Sequence, residues 1–204
     1  MRFRFRAALA ALLCFMTLRP TAAAQSPSPS RKMSIVFETG NWQPQSLNEE
    51  LRLSSFGECG ATPRLAAGFS FPLGKEIGFR LVGGFWSLRD PDEDRDLLQP
   101  LSFHSVSADF KYWLVPDFRL SAYALYGVTV YWGTENESRP FGSGLRSARP
   151  SWGANLGAGF DLALSRRIGT GMTFQYRLMR PREAVGGLSD FSGPDIAVAL
   201  YFFP

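Results

Sequence analysis

The chain of 204 residues is 45% apolar and 20% charged, which suits one folded domain and excludes a disordered composition. Its 22 basic and 18 acidic residues give a formal charge of +4, but Arg2, Arg4, Arg6 and Arg19 all lie in the first 24 residues. Without that segment 18 basic residues face 18 acidic ones, so no basic stripe remains and a nucleic-acid partner is excluded.

Residues 1–24, MRFRFRAALAALLCFMTLRPTAAA, place arginines before an apolar run and small residues after it, the pattern of a secretory signal peptide cleaved near Ala24. Cys14 lies inside the apolar run, which fits a lipoprotein signal poorly. Residues 25–31, QSPSPSR, form a Ser/Pro lead-in without periodicity. Residues 32–204 then read as one domain, without an apolar run approaching the roughly 18 residues of a membrane helix. Cys59 is the one cysteine in that domain, so no disulfide can form within it, and it reads as an incidental loop residue, with an intermolecular bridge or a reactive thiol as the alternatives.

Eight period-2 runs follow in chain order: Met33–Trp42, Arg64–Phe71, Ile77–Ser87, Ser102–Leu114, Phe118–Trp132, Trp152–Leu164, Ile168–Arg180 and Asp195–Phe203. Each is close to the roughly 9 to 11 residues that cross a bilayer as a tilted strand. The connections alternate long and short, with 43–63, 88–101, 133–151 and 181–194 long. An up-and-down meander collects such long loops at one end and tight turns at the other. Residues 46–55, SLNEELRLSS, allow a turn or two of helix inside the first long loop.

Alternation does not by itself say which face is inside, since a soluble lipocalin-like barrel also alternates. In the last four runs one register is almost purely apolar, from Phe118 through Trp132, Trp152 through Leu164, Ile168 through Leu178 and Ile196 through Phe202, with Thr170 the exception. A water-facing side has no reason to exclude charge so completely, whereas a basic residue at mid-bilayer costs about 2–4 kcal/mol. The other register holds Glu38, Arg64, Arg80, Asp109, Lys111, Arg119, Asp161 and Arg177 among many glycines. Those eight are the candidate lumen network, in which opposite charges brace and plug a narrow barrel. Trp42, Trp86, Trp132 and Trp152 near the long loops, and Phe71, Tyr112, Trp113, Phe118 and Phe202 near the short turns, suggest two aromatic belts. Trp42 and Trp86 fall in the inward register, so either they cap the lumen or a bulge near Gly83-Gly84 shifts the phase.

The signal peptide, the eight runs, the turn-and-strand pair DLALSRRIGTGMTFQYRL and the ending DIAVALYFFP resemble the small eight-stranded outer-membrane barrels of the OmpA, OmpX and opacity-protein type. The resemblance implies an all-β, eight-stranded antiparallel up-and-down transmembrane barrel with long extracellular loops and short periplasmic turns, in the outer membrane of a Gram-negative bacterium. It implies outer-membrane lipid and lipopolysaccharide as surroundings. It also implies recognition of the last strand by the barrel-assembly machinery through Phe202 with Leu200, Val198 and Ile196, beyond which Phe203 and Pro204 overhang.

Reactive groups are sparse. His104 is the one histidine and sits on the apolar side with Val106, Ala108 and Phe110. Lipid A deacylases of similar architecture use a lipid-facing His with a Ser two residues later, but here that residue is Val106, and Ser105 and Ser107 belong to the lumen register. Asp109 and Asp161 read as members of the ion network and not as an acid–base pair. The acidic run 89–96, RDPDEDRD, lacks the glycine and distal glutamate of a calcium loop. Asn136-Glu137-Ser138 formally matches a glycosylation acceptor, irrelevant in a Gram-negative source. No metal or cofactor is expected. The expected function is that of a non-enzymatic outer-membrane barrel with a structural or surface-interaction role and a lumen closed by side chains, its extracellular partner unknown. A narrow channel, a lipid A-modifying enzyme using His104 and a soluble ligand-binding barrel are the alternatives.

Overall fold

The computed structural model describes residues 32–45, 63–88, 101–114, 119–139, 142–185 and 188–204. The expectations for the signal peptide and lead-in, for Cys59, for the helical turn in 46–55, for Phe118 and for the acidic run 89–96 lie outside these residues.

Among the described residues nine strands occur in chain order: β1 Ser34–Trp42, β2 Arg64–Pro72, β3 Ile77–Leu88, β4 Leu101–Trp113, β5 Leu120–Arg139, β6 Gly142–Ser147, β7 Ser151–Ala163, β8 Ile168–Met179 and β9 Gly193–Phe202. Each wall strand pairs antiparallel with its sequence neighbour, and β9 closes the ring on β1. Eight strands therefore form the wall. The ninth is a departure from the expected loop 133–151. There β5 runs on past the wall and pairs with β6 from Thr134↔Ser147 to Arg139↔Gly142, making a projecting hairpin. The residues of that extension, GTENESR and GSGLRS, have no clean period-2 apolar pattern, so only the backbone ladder defines them.

The registers are unbroken throughout, including Ala66↔Gly84 and Ala67↔Gly83, so no bulge occurs at the glycine pair. Phase is conserved from end to end, and every side chain's face follows from its parity. At the described outward positions of the eight wall strands no side chain is charged. Large apolar groups there, among them Phe37, Leu65, Tyr126, Val128 and Leu156, stand exposed. The inward register is buried and polar, which inverts the usual arrangement of a water-soluble domain.

Aromatic positions divide accordingly. Trp132 and Trp152 face outward, whereas Trp42, Trp86 and Trp113 are buried inside, which removes these three from the expected belts. Of the two readings for Trp42 and Trp86, the lumen cap is the one observed.

Candidate functional site: the filled lumen

The inward register brings charged residues from separate strands to one level of the barrel. Arg80 on β3 donates through Nη2 to Asp109 Oδ2 on β4 at 2.7 Å, and through Nη1 to Glu38 Oε1 on β1. Arg64 on β2 donates to the other oxygen of Glu38 at 3.3 Å. Its Nε also lies 3.1 Å from Asp195 Oδ2 on β9, near enough for an ion pair but not aligned as a hydrogen bond. Asp195 Oδ2 further accepts from Arg177 Nε at 2.8 Å and from Gln175 Nε2 at 2.7 Å, both on β8. Asp109 Oδ1 accepts from Asn155 Nδ2 on β7 at 2.9 Å, and Asn155 reaches Thr129 Oγ1 on β5 at 2.7 Å. One connected network thus touches all eight wall strands.

A second cluster lies nearer the short turns. Lys111 Nζ donates to both oxygens of Asp161, at 3.2 and 3.0 Å, and to Tyr201 Oη at 2.9 Å. It also stands 4.1 Å from the centre of the Tyr123 ring, where the π face adds attraction for the ammonium. Trp113 Nε1 points to Asp161 Oδ2 at 3.4 Å. Below it Val36, Ala199, Tyr201 and Phe203 pack together and fill the turn end. Phe203, expected as overhang, is therefore part of the filling, its amide donating to Arg167 O at 2.8 Å.

Among the buried charged residues, Glu38, Asp109, Asp161 and Asp195 stand against Arg64, Arg80, Lys111 and Arg177. The balance matters because a surplus charge in a dry interior has no solvent to screen it. Seven of the eight expected residues lie in these clusters. Arg119 does not: it sits at the turn-end rim, exposed, and donates to Ala163 O and Leu164 O at 2.6 and 2.9 Å. Strict alternation carries it inward on paper, but the wall ends there. Asp195, Asn155, Tyr123 and Tyr201 are the members that reasoning from charge runs missed. Asp195 was within sight, one residue before Ile196 and so in the inward register.

At the long-loop end aromatic groups pack together inside the barrel. Trp42 and Trp86 meet edge-on with ring centres 4.8 Å apart, and Phe103 stands 6.0 and 5.9 Å from them. Phe191, from the connection between β8 and β9, drops onto Phe103 at 4.6 Å and is fully buried. Val185 and Leu188 of the same connection join this cluster and are held by a reciprocal pair of backbone hydrogen bonds. The connection, read from sequence as a loop, is a lid whose apolar residues point down. Between plug and network a cavity of about 10 Å³, lined by Trp42, Arg64, Trp86, Phe103 and Arg177, has room for a single water.

His104 lies on the outer face with its ring between Phe85, at 5.1 Å, and Trp132, stacked at 5.8 Å. Ser107 points inward and bonds Thr129, and the hydroxyl on the histidine's own face, Ser102, pairs with Thr134 Oγ1 at 2.5 Å. Among the described residues no group of His, Cys, Asp and Glu could hold a metal ion.

Neither a protein family nor a curated protein matches the sequence. The backbone is similar to that of Neisserial surface protein A, with a TM-score of 0.59 at 10% identity over 87% of this chain and 99% of that one. Ail, the attachment invasion locus protein of Yersinia pestis, aligns at 0.47 with 14% identity over 84% and 95% of the two chains. The outer membrane protein OprG of Pseudomonas aeruginosa aligns at 0.45 with 13% identity over 89% and 96%. At such identities the first of these likenesses establishes the fold, that of the small eight-stranded outer-membrane barrels.

Proposed function

We propose that this chain is an integral outer-membrane barrel without enzymatic activity, closed to ions, whose work is structural or lies in contacts made by its long-loop end. The observation that carries this reading is the pairing of an uncharged, exposed apolar outer wall with a lumen filled from end to end by balanced ion pairs and aromatic rings. An apolar outer wall belongs in hydrocarbon, where it meets no water. A lumen so filled leaves no continuous path for a hydrated ion. On this reading outer-membrane lipid and lipopolysaccharide surround the wall, and the barrel-assembly machinery handles the chain during insertion.

Against the enzyme alternative, His104 has rings on both sides, the Ser102 hydroxyl is paired with Thr134, and the residue two positions on is Val106. Fractionation with a boiled and an unboiled gel lane tests the barrel, with heat-dependent migration and an outer-membrane pellet expected. Planar-bilayer recording tests closure. Steady single-channel steps from the purified protein would revive the channel, and recovery as a soluble periplasmic monomer would sink the whole reading.

A further inference from the structure

We propose that the short-turn rim carries a docking site for anionic phospholipid headgroups, formed by Lys32, Arg119, Arg166 and Arg167. The inference rests on the reading of the wall as lipid-facing and extends it to the rim.

The four cations gather around the β7–β8 turn. Lys32 Nζ donates to Arg166 O at 2.7 Å, and Arg119 donates to Ala163 O and Leu164 O. Arg166 and Arg167 occupy the turn itself and are exposed. A carbonyl satisfies a donor but offsets no formal charge. Among the described residues none of the four meets a carboxylate, unlike Arg149 and Arg180 at the other rim, which pair with Glu183 and Asp190 at 3.2 and 3.1 Å. Exposed like charges with no carboxylate beside them among the described residues make a local positive field that draws anions.

The adjoining wall says what that is. Leu120, Leu164, Ile168 and Phe202, all exposed and apolar, stand directly beside these cations. An acyl chain laid on them brings its phosphodiester to the level of the cations. The arc thus continues the apolar wall as the polar edge of one lipid-binding surface. A choline headgroup carries its own cation and gains little, whereas a glycerol headgroup leaves the phosphate charge uncompensated. Selection for anionic over zwitterionic phospholipid follows, and it weakens as salt screens the exposed charges.

The test uses the mature chain, without the leader, folded in phosphatidylcholine vesicles with trace spin-labelled phosphatidylglycerol or phosphatidylcholine, and spin resonance reads the ratio of their association. A preference of about five-fold for phosphatidylglycerol at low salt is expected, falling toward unity at high salt. The R166Q/R167Q variant changes side chains that make no hydrogen bond among the described residues and should lose most of the preference, while R149Q/R180Q at the opposite rim should keep it. No preference in the parent, retention in R166Q/R167Q, or loss in R149Q/R180Q overturns the site while leaving the lipid-facing wall intact. Failure of the parent to enter vesicles overturns the wall reading and the site with it.

Discussion

Asp109 lies directly over Gly127 across the β4–β5 ladder, and its Oδ1 stands where a side chain at position 127 would begin. The carboxylate that ties Arg80 to Asn155 therefore depends on a missing methyl group in the next strand. Gly127→Ala would push into Asp109 and into the backbone of Ala108, which cannot swing away. The expected loss is about 1–3 kcal/mol of stability, the usual cost of overpacking, read as a lower urea midpoint for the folded gel band. An unchanged midpoint would mean that Asp109 has another resting place.

Arg80 is the centre of the larger network, shared by Glu38 and Asp109. Arg80→Met keeps much of the volume and removes the charge, leaving Asp109 with Asn155 but no cation and Glu38 with Arg64 alone. The expected cost is about 3–5 kcal/mol at neutral pH. A variant as stable as the parent at neutral pH would show the network to be dispensable.

Leu156 projects from the middle of β7 and is 69% exposed, the largest such value among the apolar wall residues. Leu156→Lys should cost about 2–4 kcal/mol when the barrel is folded in phospholipid vesicles. The same substitution in a soluble barrel would be close to neutral. Folding titrations in vesicles distinguish the two outcomes.

Asp190 holds the lid. Partial burial raises its carboxyl pKa, but hydrogen bonds from the Ser192 hydroxyl and amide, and from Arg180, outweigh this and hold it below the ordinary carboxylate value. A lowered folded pKa contributes stability above the unfolded value, near 4, and that contribution is lost as pH falls through the folded value. Hydrogen exchange at the Phe191 amide, bonded to Met179 O, should quicken relative to its intrinsic rate as pH falls below about 4. Asp190→Asn should remove that dependence.

The wall was legible because strand parity is local: Leu156 and Asp161 declare opposite faces from six residues of β7 alone. Seven of the expected lumen charges followed from the same parity. Which of them meet was not legible, since Arg64 reaches Asp195 only because β9 closes on β1. Arg119 went astray for the converse reason, as parity says nothing of where a wall ends. Phe191 was hidden because a connection has no period, and its inward turn depends on Ser192 and Asp190 satisfying its neighbours.

The central claim is that the apolar register faces lipid and the polar register faces the lumen, and the five tryptophans report on it. Two single-tryptophan variants, one keeping Trp152 on the outer face and one keeping Trp86 in the plug, would be folded into vesicles of lipid brominated along the acyl chain. Bromine quenches indoles it touches. Strong quenching of Trp152 with little of Trp86 is expected; equal quenching, or quenching of Trp86 alone, would contradict the claim.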